Sequence, residues 1–219
     1  MRAALFGNWE SGIGSWELKG GSSMRGILIA FEGLDQSGKQ TQAETLRDAL
    51  VAAGRRSELV SFPDYGTPIG AEIHRALHGE REYGADVMQL LYVANRHERR
   101  ARLAAGLSEG AVILCDRYIA SSIAYGEAQG LDAAWLADIQ RFLPPPDLTI
   151  LLDITPATAL ARKSAGRDRY ERDLPLLERV RRSYLAQSAG AGWVRIDGER
   201  PPGDVTRDVQ AAVSRLALR

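Results

Sequence analysis

The chain is poor in cysteine, histidine and lysine, and carries no surplus charge of either sign. A single cysteine, Cys115, excludes an internal disulfide framework and any site built from several thiolates, and it fits a reducing compartment. The three histidines, His74, His78 and His97, are scattered over helical stretches and form no metal-ligand spacing. Lys+Arg and Asp+Glu are equal at 28 each, which argues against a nucleic-acid binder, an acidic tail or a polybasic membrane anchor. No apolar run approaches the ~18 residues of a transmembrane helix. These absences describe a globular, cytoplasmic protein with no nucleic-acid or membrane partner. At roughly 150 residues per domain, 219 residues make one large domain or two small ones, and a 45% hydrophobic content is enough for a sizeable core.

The basic residues are almost all arginine, with lysine only at positions 19, 39 and 163. A guanidinium fork suits phosphate and carboxylate recognition, so the placement of individual arginines matters more than their number. Residues 1–23 differ from the rest: they are rich in Gly and Ser, lack periodicity, and lack the basic and apolar regions of a signal peptide. They read as a leader or extension outside the fold, with Met24 opening a single domain over 24–219.

From there, short apolar runs alternate with helical patterns. Strands are expected at Ile27–Phe31, Glu58–Phe62, Ala111–Cys115, Leu148–Ile154 and Trp193–Ile196. Helical spacing covers Ala43–Ala53, Ile69–Leu77, Asp86–Leu107, Ser121–Gln129, Ala133–Leu143, a segment opened by Thr155-Pro156, Leu176–Leu185 and Val205–Leu216. Gly54 stands where a helix C-terminus needs a left-handed residue. Continuous apolar strands alternating with helices predict an α/β fold: a five-stranded parallel sheet with helices on both faces. Ligands of such sheets bind at the carboxyl ends of the strands.

Gly33-Leu34-Asp35-Gln36-Ser37-Gly38-Lys39-Gln40-Thr41 follows the first strand and opens the first helix. This is G-x-x-x-x-G-K in the context that lets main-chain N–H groups and a helix N-terminus cradle phosphates. Lys39 would reach the β/γ-phosphates of a nucleoside triphosphate. The hydroxyl that usually follows the lysine and holds Mg²⁺ is replaced by Gln40, with Thr41 next; Asp35 is a candidate to orient the metal shell or the acceptor. The guanine-reading segment of switch GTPases is absent, since lysine occurs at only three positions and none has that context.

Phe31-Glu32-Gly33-Leu34-Asp35 before Gly38-Lys39, then Phe62-Pro63, Ala94-Asn95-Arg96, Asp116-Arg117-Tyr118 with Ser121, Ser122 and Tyr125, and finally Tyr170-Glu171 resemble thymidylate kinases in order and spacing. The resemblance covers essentially Met24 to the C-terminus. It implies a P-loop NTPase fold with a lid at about 162–173. It also implies transfer of the γ-phosphoryl of ATP to dTMP with Mg²⁺, and a homodimer. It further implies that Tyr92 stacks on thymine and Arg96 binds on its thymine and phosphate side. By the same likeness, Phe62 and Tyr65 pack near the acceptor sugar and phosphate, Ser121 and Ser122 approach the base edge, and Tyr125 crowds the 2′ position. Arg162 takes the adenine-stacking place, and Tyr170 and Glu171 contact the acceptor and metal shell. Some relatives carry a catalytic arginine where this chain has Gln36, so Arg167 or Arg169 in the lid is expected to supply that charge.

The residue chemistry points the same way. Asp116-Arg117 closes the third strand, where an arginine can bridge donor and acceptor phosphates and neutralise developing charge; Asp116 joins Asp35 and Glu171 as a metal-shell candidate. Arg99, Arg100 and Arg102 are read as a solvated face, and Cys115 as a buried strand residue. Two other functions stay open: a kinase for a different nucleoside monophosphate or a deoxynucleoside, and a non-catalytic ATP-binding protein.

Overall fold

The computed structural model describes residues 25–162, Tyr170 and residues 173–217. The expected leader, together with Arg167, Arg169 and Glu171 of the expected lid, lies outside the described residues. In chain order the elements are β1 (Ile27–Glu32), α1 (Lys39–Ala52), β2 (Ser57–Ser61), α2 (Pro68–Leu77), α3 (Ala85–Ser108), β3 (Val112–Asp116), α4 (Ile119–Ala128), α5 (Ala133–Asp138), β4 (Leu148–Asp153), α6 (Pro156–Arg162), α7 (Leu174–Gln187), β5 (Trp193–Asp197) and α8 (Pro202–Ala217). The five strands form one parallel sheet in the order β2-β3-β1-β4-β5. Helices pack on both faces, as the alternating pattern required.

β1 is apolar without alternation because both its faces are covered. Ile29 and Phe31 pack toward α1 and α8 with Ala43, Leu46, Val205 and Val209. Leu28 and Ala30 pack toward α3 with Leu103 and Leu107. Each large aliphatic or aromatic side chain fully buried here contributes roughly 1.5–3 kcal/mol. A third cluster joins α2, α3, α4 and α7 above the sheet through Ile73, Met88, Ala124, Val180 and Tyr184. Among the described residues no helix is long and apolar enough to cross a membrane.

Local signals fix the helix ends. Thr67 Oγ1 accepts from Gly70 N at 3.0 Å with Pro68 following, and Thr155 Oγ1 accepts from Thr158 N at 3.2 Å. Gly54, at φ 73°, ends α1, and Arg55 N returns to Leu50 O at 2.9 Å. Most element ends shift by one to a few residues from expectation, and two of the differences bear on the site. β2 begins and ends one residue early, although Phe62 N still donates to Asp116 O at 2.9 Å. The helix expected over Ala133–Leu143 stops at Asp138, where the chain tightens into turns: the Gln140 side-chain amide takes the Leu136 carbonyl at 2.8 Å.

Strand order positions the site. β3 lies directly beside β1 with Phe31 level with Asp116, so the glycine loop and Asp116-Arg117 leave the sheet side by side. That adjacency is the topological switch point of the sheet.

Candidate active site

The loop after β1 needs its glycines. Gly33 adopts φ 138°, and a Cβ there would stand 2.4 Å from Leu152 O; Gly38, at φ 93°, turns the chain into α1. Lys39 is buried and its Nζ donates to Leu34 O at 2.9 Å. Burial and then Arg117 push its pKa down, while Asp116, Asp35 and Glu32 pull it back up. Gln40 turns away from the loop to Glu44 Oε1 at 2.9 Å, and Thr41 is exposed. Arg162 reaches this loop from α6, donating to Gln36 O at 3.0 Å and to Gly198 O at 2.9 Å. Ser37 is buried, and its Oγ has no hydrogen-bond partner among the described residues.

Arg117 is the hub between the two halves of the site. Its backbone sits at φ 64°, unusual for a branched-out side chain, and its N–H donates to Phe31 O at 2.9 Å. One terminal nitrogen donates to Asp35 Oδ1 at 2.7 Å and Tyr125 OH at 3.3 Å; the other reaches Ser121 Oγ and Tyr184 OH, both at 3.2 Å. Burial alone would raise the Asp35 pKa, but Arg117, then Lys39, hold the carboxyl well below the ordinary carboxylate range. Asp35 in turn lifts the Arg117 pKa against its own burial.

The sign of the Asp35 shift yields a prediction. A carboxylate with a depressed folded-state pKa contributes stability above its unfolded pKa, about 3.9. That stability is lost as pH falls from there toward the folded value. Asp35→Asn is therefore expected to be less stable than the parent at pH 7, with the gap narrowing below about pH 4. Urea midpoints at pH 7, 4 and 3 check it; a gap that widens on acidification contradicts the assignment.

Behind Arg117 stands a carboxylate that sequence reasoning did not single out. Glu32 is fully buried and accepts from Tyr118 N at 2.8 Å, Ser121 N at 3.2 Å, Ser121 Oγ at 2.6 Å and Tyr184 OH at 2.9 Å. Both hydroxyls lie within hydrogen-bond reach of Glu32 Oε2 and 2.8 Å from each other, so their protons are shared within this triad and both oxygens accept from Arg117. Burial, then Glu32, push the Tyr184 pKa up, which keeps the phenol protonated as donor.

All ten residues assigned to the acceptor, namely Asp35, Phe62, Tyr65, Tyr92, Arg96, Arg117, Ser121, Ser122, Tyr125 and Tyr170, line one cleft together with Pro63, Leu77 and Gln89. The space between these side chains amounts to about 590 Å³ including the open solvent at its mouth. Arg96 projects from α3, buried, and donates to Ser122 Oγ at 2.8 Å and Gln140 Oε1 at 3.0 Å; its Nε has no partner among the described residues. Tyr125 and Tyr170 meet edge to face, with ring centroids 5.9 Å apart. Asn95 pins the Phe62–Thr67 turn to α3: its Oδ1 accepts from Asp64 N at 2.8 Å and its Nδ2 donates to Thr67 Oγ1 at 2.8 Å.

The turn also corrects one expectation. Arg99 is not a solvated residue: it is partly buried and forks onto Asp64 Oδ2 at 2.6 Å, so it helps position the turn bearing Tyr65. Arg102 is exposed but paired with Glu58 at 2.7 Å. Cys115 is fully buried as expected, and burial pushes its thiol pKa up.

Among the described residues no group of three His, Cys, Asp or Glu side chains could hold a metal on its own. Asp116 at the end of β3 nevertheless leaves its buried Oδ1 without a partner, beside the loop lysine. Asp35 lies on the same side, so two carboxylates fit a cation held mainly by phosphates and water. Glu32, Tyr184, Gln140 and Gln89 were missed. Glu32 had a signal, a lone charge closing an apolar strand, whereas the others join the site from distant helices at ordinary helical spacing.

A phosphate-cradling loop set edge to edge with an arginine-lined cleft, both at the ends of adjacent parallel strands, is the arrangement of a P-loop nucleoside monophosphate kinase. Comparison with known proteins narrows that class. The thymidylate kinase family profile matches residues 31–209. The chain is 34% identical over 199 residues to the thymidylate kinase of Schizosaccharomyces pombe, covering 89% of this chain and 94% of that one. It is 33% identical over 201 residues to the human thymidylate kinase, covering 90% and 94%. The solved structure of the Candida albicans thymidylate kinase superposes with a TM-score of 0.75 at 32% identity, covering 87% of this chain and 92% of that one. The chain belongs to the thymidylate kinase family.

Proposed function

We propose that this chain transfers the γ-phosphoryl group of ATP to dTMP, releasing dTDP and ADP. The observation that carries this reading is the single cleft shared by the acceptor-side residues and Arg117, with Asp35 of the glycine loop at its edge. ATP phosphates lie on the loop amides and Lys39, with Arg162 at the adenine side. The dTMP base lies between Tyr92 and the Arg96–Ser122 pair, and its phosphate points toward Arg117. Tyr65 and Phe62 close over the sugar and phosphate, and Tyr125 fills the space a 2′-hydroxyl would need.

The loose transition state of phosphoryl transfer asks for alignment and charge neutralisation rather than covalent help. Arg117 supplies a fixed guanidinium where charge develops. The expected lid arginines, Arg167 and Arg169, would add theirs on closure and exclude water. The dTMP phosphate is already nucleophilic near neutral pH. Asp35, held ionised by Arg117 and Lys39, is a poor proton acceptor, which favours a monophosphate acceptor over a nucleoside hydroxyl. Mg²⁺, when bound, shields the triphosphate; Asp116 and Asp35, with Glu171, would hold its water shell. The family resemblance carries two further parts of this reading, a homodimeric assembly and a cytoplasmic setting.

A coupled ADP-release assay with dTMP, dUMP, UMP, AMP and thymidine tests the assignment. Preference for dTMP, with dUMP weaker and thymidine inert, is the expected result. Preference for AMP or UMP, or turnover of thymidine, replaces it with the alternative kinase reading. ATP binding without turnover on any acceptor leaves the non-catalytic one.

A further inference from the structure

One side chain in the cleft has no role in the account above. Gln89 lies on α3, one turn before Tyr92 and two before Arg96 on the same face. It is fully buried and lines the cleft. Neither its Nε2 nor its Oε1 has a hydrogen-bond partner among the described residues. A buried donor or acceptor left unmet costs about 1–3 kcal/mol, and the cluster around it, with Leu77, Met88, Leu91 and Tyr92, would accept methionine or leucine at no such cost. The other buried amides nearby are well used. Asn95 bonds Asp64 N, Asp64 O, Thr67 Oγ1 and Glu98 Oε2. Gln140 bonds Arg96, Ile119 O and Leu136 O. Gln89 is the exception, and it stands where the acceptor enters.

We propose that Gln89 is a specificity-determining residue whose side-chain amide hydrogen-bonds the nucleoside part of the acceptor monophosphate. The chemistry selects that part. The amide brings one acceptor and a pair of donors, so its partner must itself offer a donor beside an acceptor. A pyrimidine imide, N–H flanked by carbonyls, does so, and so does a sugar hydroxyl. A phosphate dianion offers only acceptors and would leave Oε1 unmet. Arg96 has no acceptor atom to give a base, and Ser122 Oγ already receives an Arg96 N–H. Gln89 therefore adds a carbonyl acceptor, with no protein donor on it, beside the one lone pair that Ser122 Oγ has left.

This inference rests on the proposed dTMP acceptor, and the test separates the two. Gln89→Met keeps length and apolar packing while removing the amide. Calorimetric titration with dTMP is expected to show Kd raised about tenfold, with Kd for ATP unchanged. The ligand-free variant is expected to melt at the same temperature as the parent or higher, because an unmet buried amide has been removed. The stabilisation conferred by saturating dTMP should shrink accordingly. N3-methyl-dTMP and 3′-deoxy-dTMP locate the contact, since the penalty for one of them should be smaller in the variant than in the parent. The proposal is overturned if Gln89→Met binds dTMP within twofold of the parent, if its ligand-free melting temperature falls by several degrees, or if neither analogue penalty changes. Failure of the parent chain to bind dTMP overturns the acceptor assignment instead, and this role with it.

Discussion

Arg117→Ala is expected to lower kcat on dTMP by about three orders of magnitude, the range found when a guanidinium stabilising transferred charge is removed. KM for ATP should change less than kcat, because the turn of the glycine loop rests on Gly33 and Gly38, although Asp35 in that loop loses its Arg117 partner. Arg117→Lys is expected to recover no more than a small part of the loss. An ammonium cannot span the four partners that the planar fork holds, Asp35 and Tyr125 on one nitrogen and Ser121 and Tyr184 on the other. Steady-state kinetics of both variants settle the point. A drop confined to KM for dTMP, with kcat retained, would reduce Arg117 to a binding residue.

The second large effect falls on stability. Glu32→Ala strands two main-chain N–H groups, of Tyr118 and Ser121, inside the protein and leaves the Ser121 and Tyr184 hydroxyls to satisfy one another, 2.8 Å apart. Each buried donor left unmet costs about 1–3 kcal/mol, so the loss should be several kcal/mol, read here as a lower urea midpoint at an unchanged slope. Glu32→Gln should lose less, since an amide oxygen still accepts, but its NH2 group donates where the carboxylate accepted, so the Ser121 and Tyr184 protons must rearrange. The two oxygens are then no longer both free to accept from Arg117, so kcat should fall even where the protein remains folded. A Glu32→Gln enzyme with parental kcat would show that Asp35 and Tyr125 hold Arg117 without help from the Glu32 triad.

The fold was legible where burial dictates sequence. β1 and β4 read as strands because both faces of each are covered, and Thr155 and Gly54 mark helix ends through their own chemistry. The glycine loop was legible because its spacing is set by backbone geometry near phosphate. The helix over Ala133–Leu143 was over-extended because propensity carries no record of Gln140 competing for the Leu136 carbonyl. Arg99 was misjudged for a similar reason, since its partner Asp64 lies 35 residues away on a turn. Of the site, the acceptor residues came from ordered resemblance, and their periodicity alone would have made Tyr125 an ordinary core aromatic. Tyr184 and Gln89 could not be found, because a buried tyrosine and a helix-borne glutamine look the same whether or not they face a cavity.

The neighbouring of β1 and β3 has one more consequence. The loop that cradles one substrate and the arginine that faces the other spring from strands whose spacing is the fixed sheet pitch, about 4.8 Å. In the proposed reading, the separation of the two nucleotides is therefore inherited from main-chain hydrogen bonding rather than from the side chains of the pocket. Adaptation to a bulkier acceptor has to come from the far wall, α2 and α3, and leaves the reacting end of the molecule untouched.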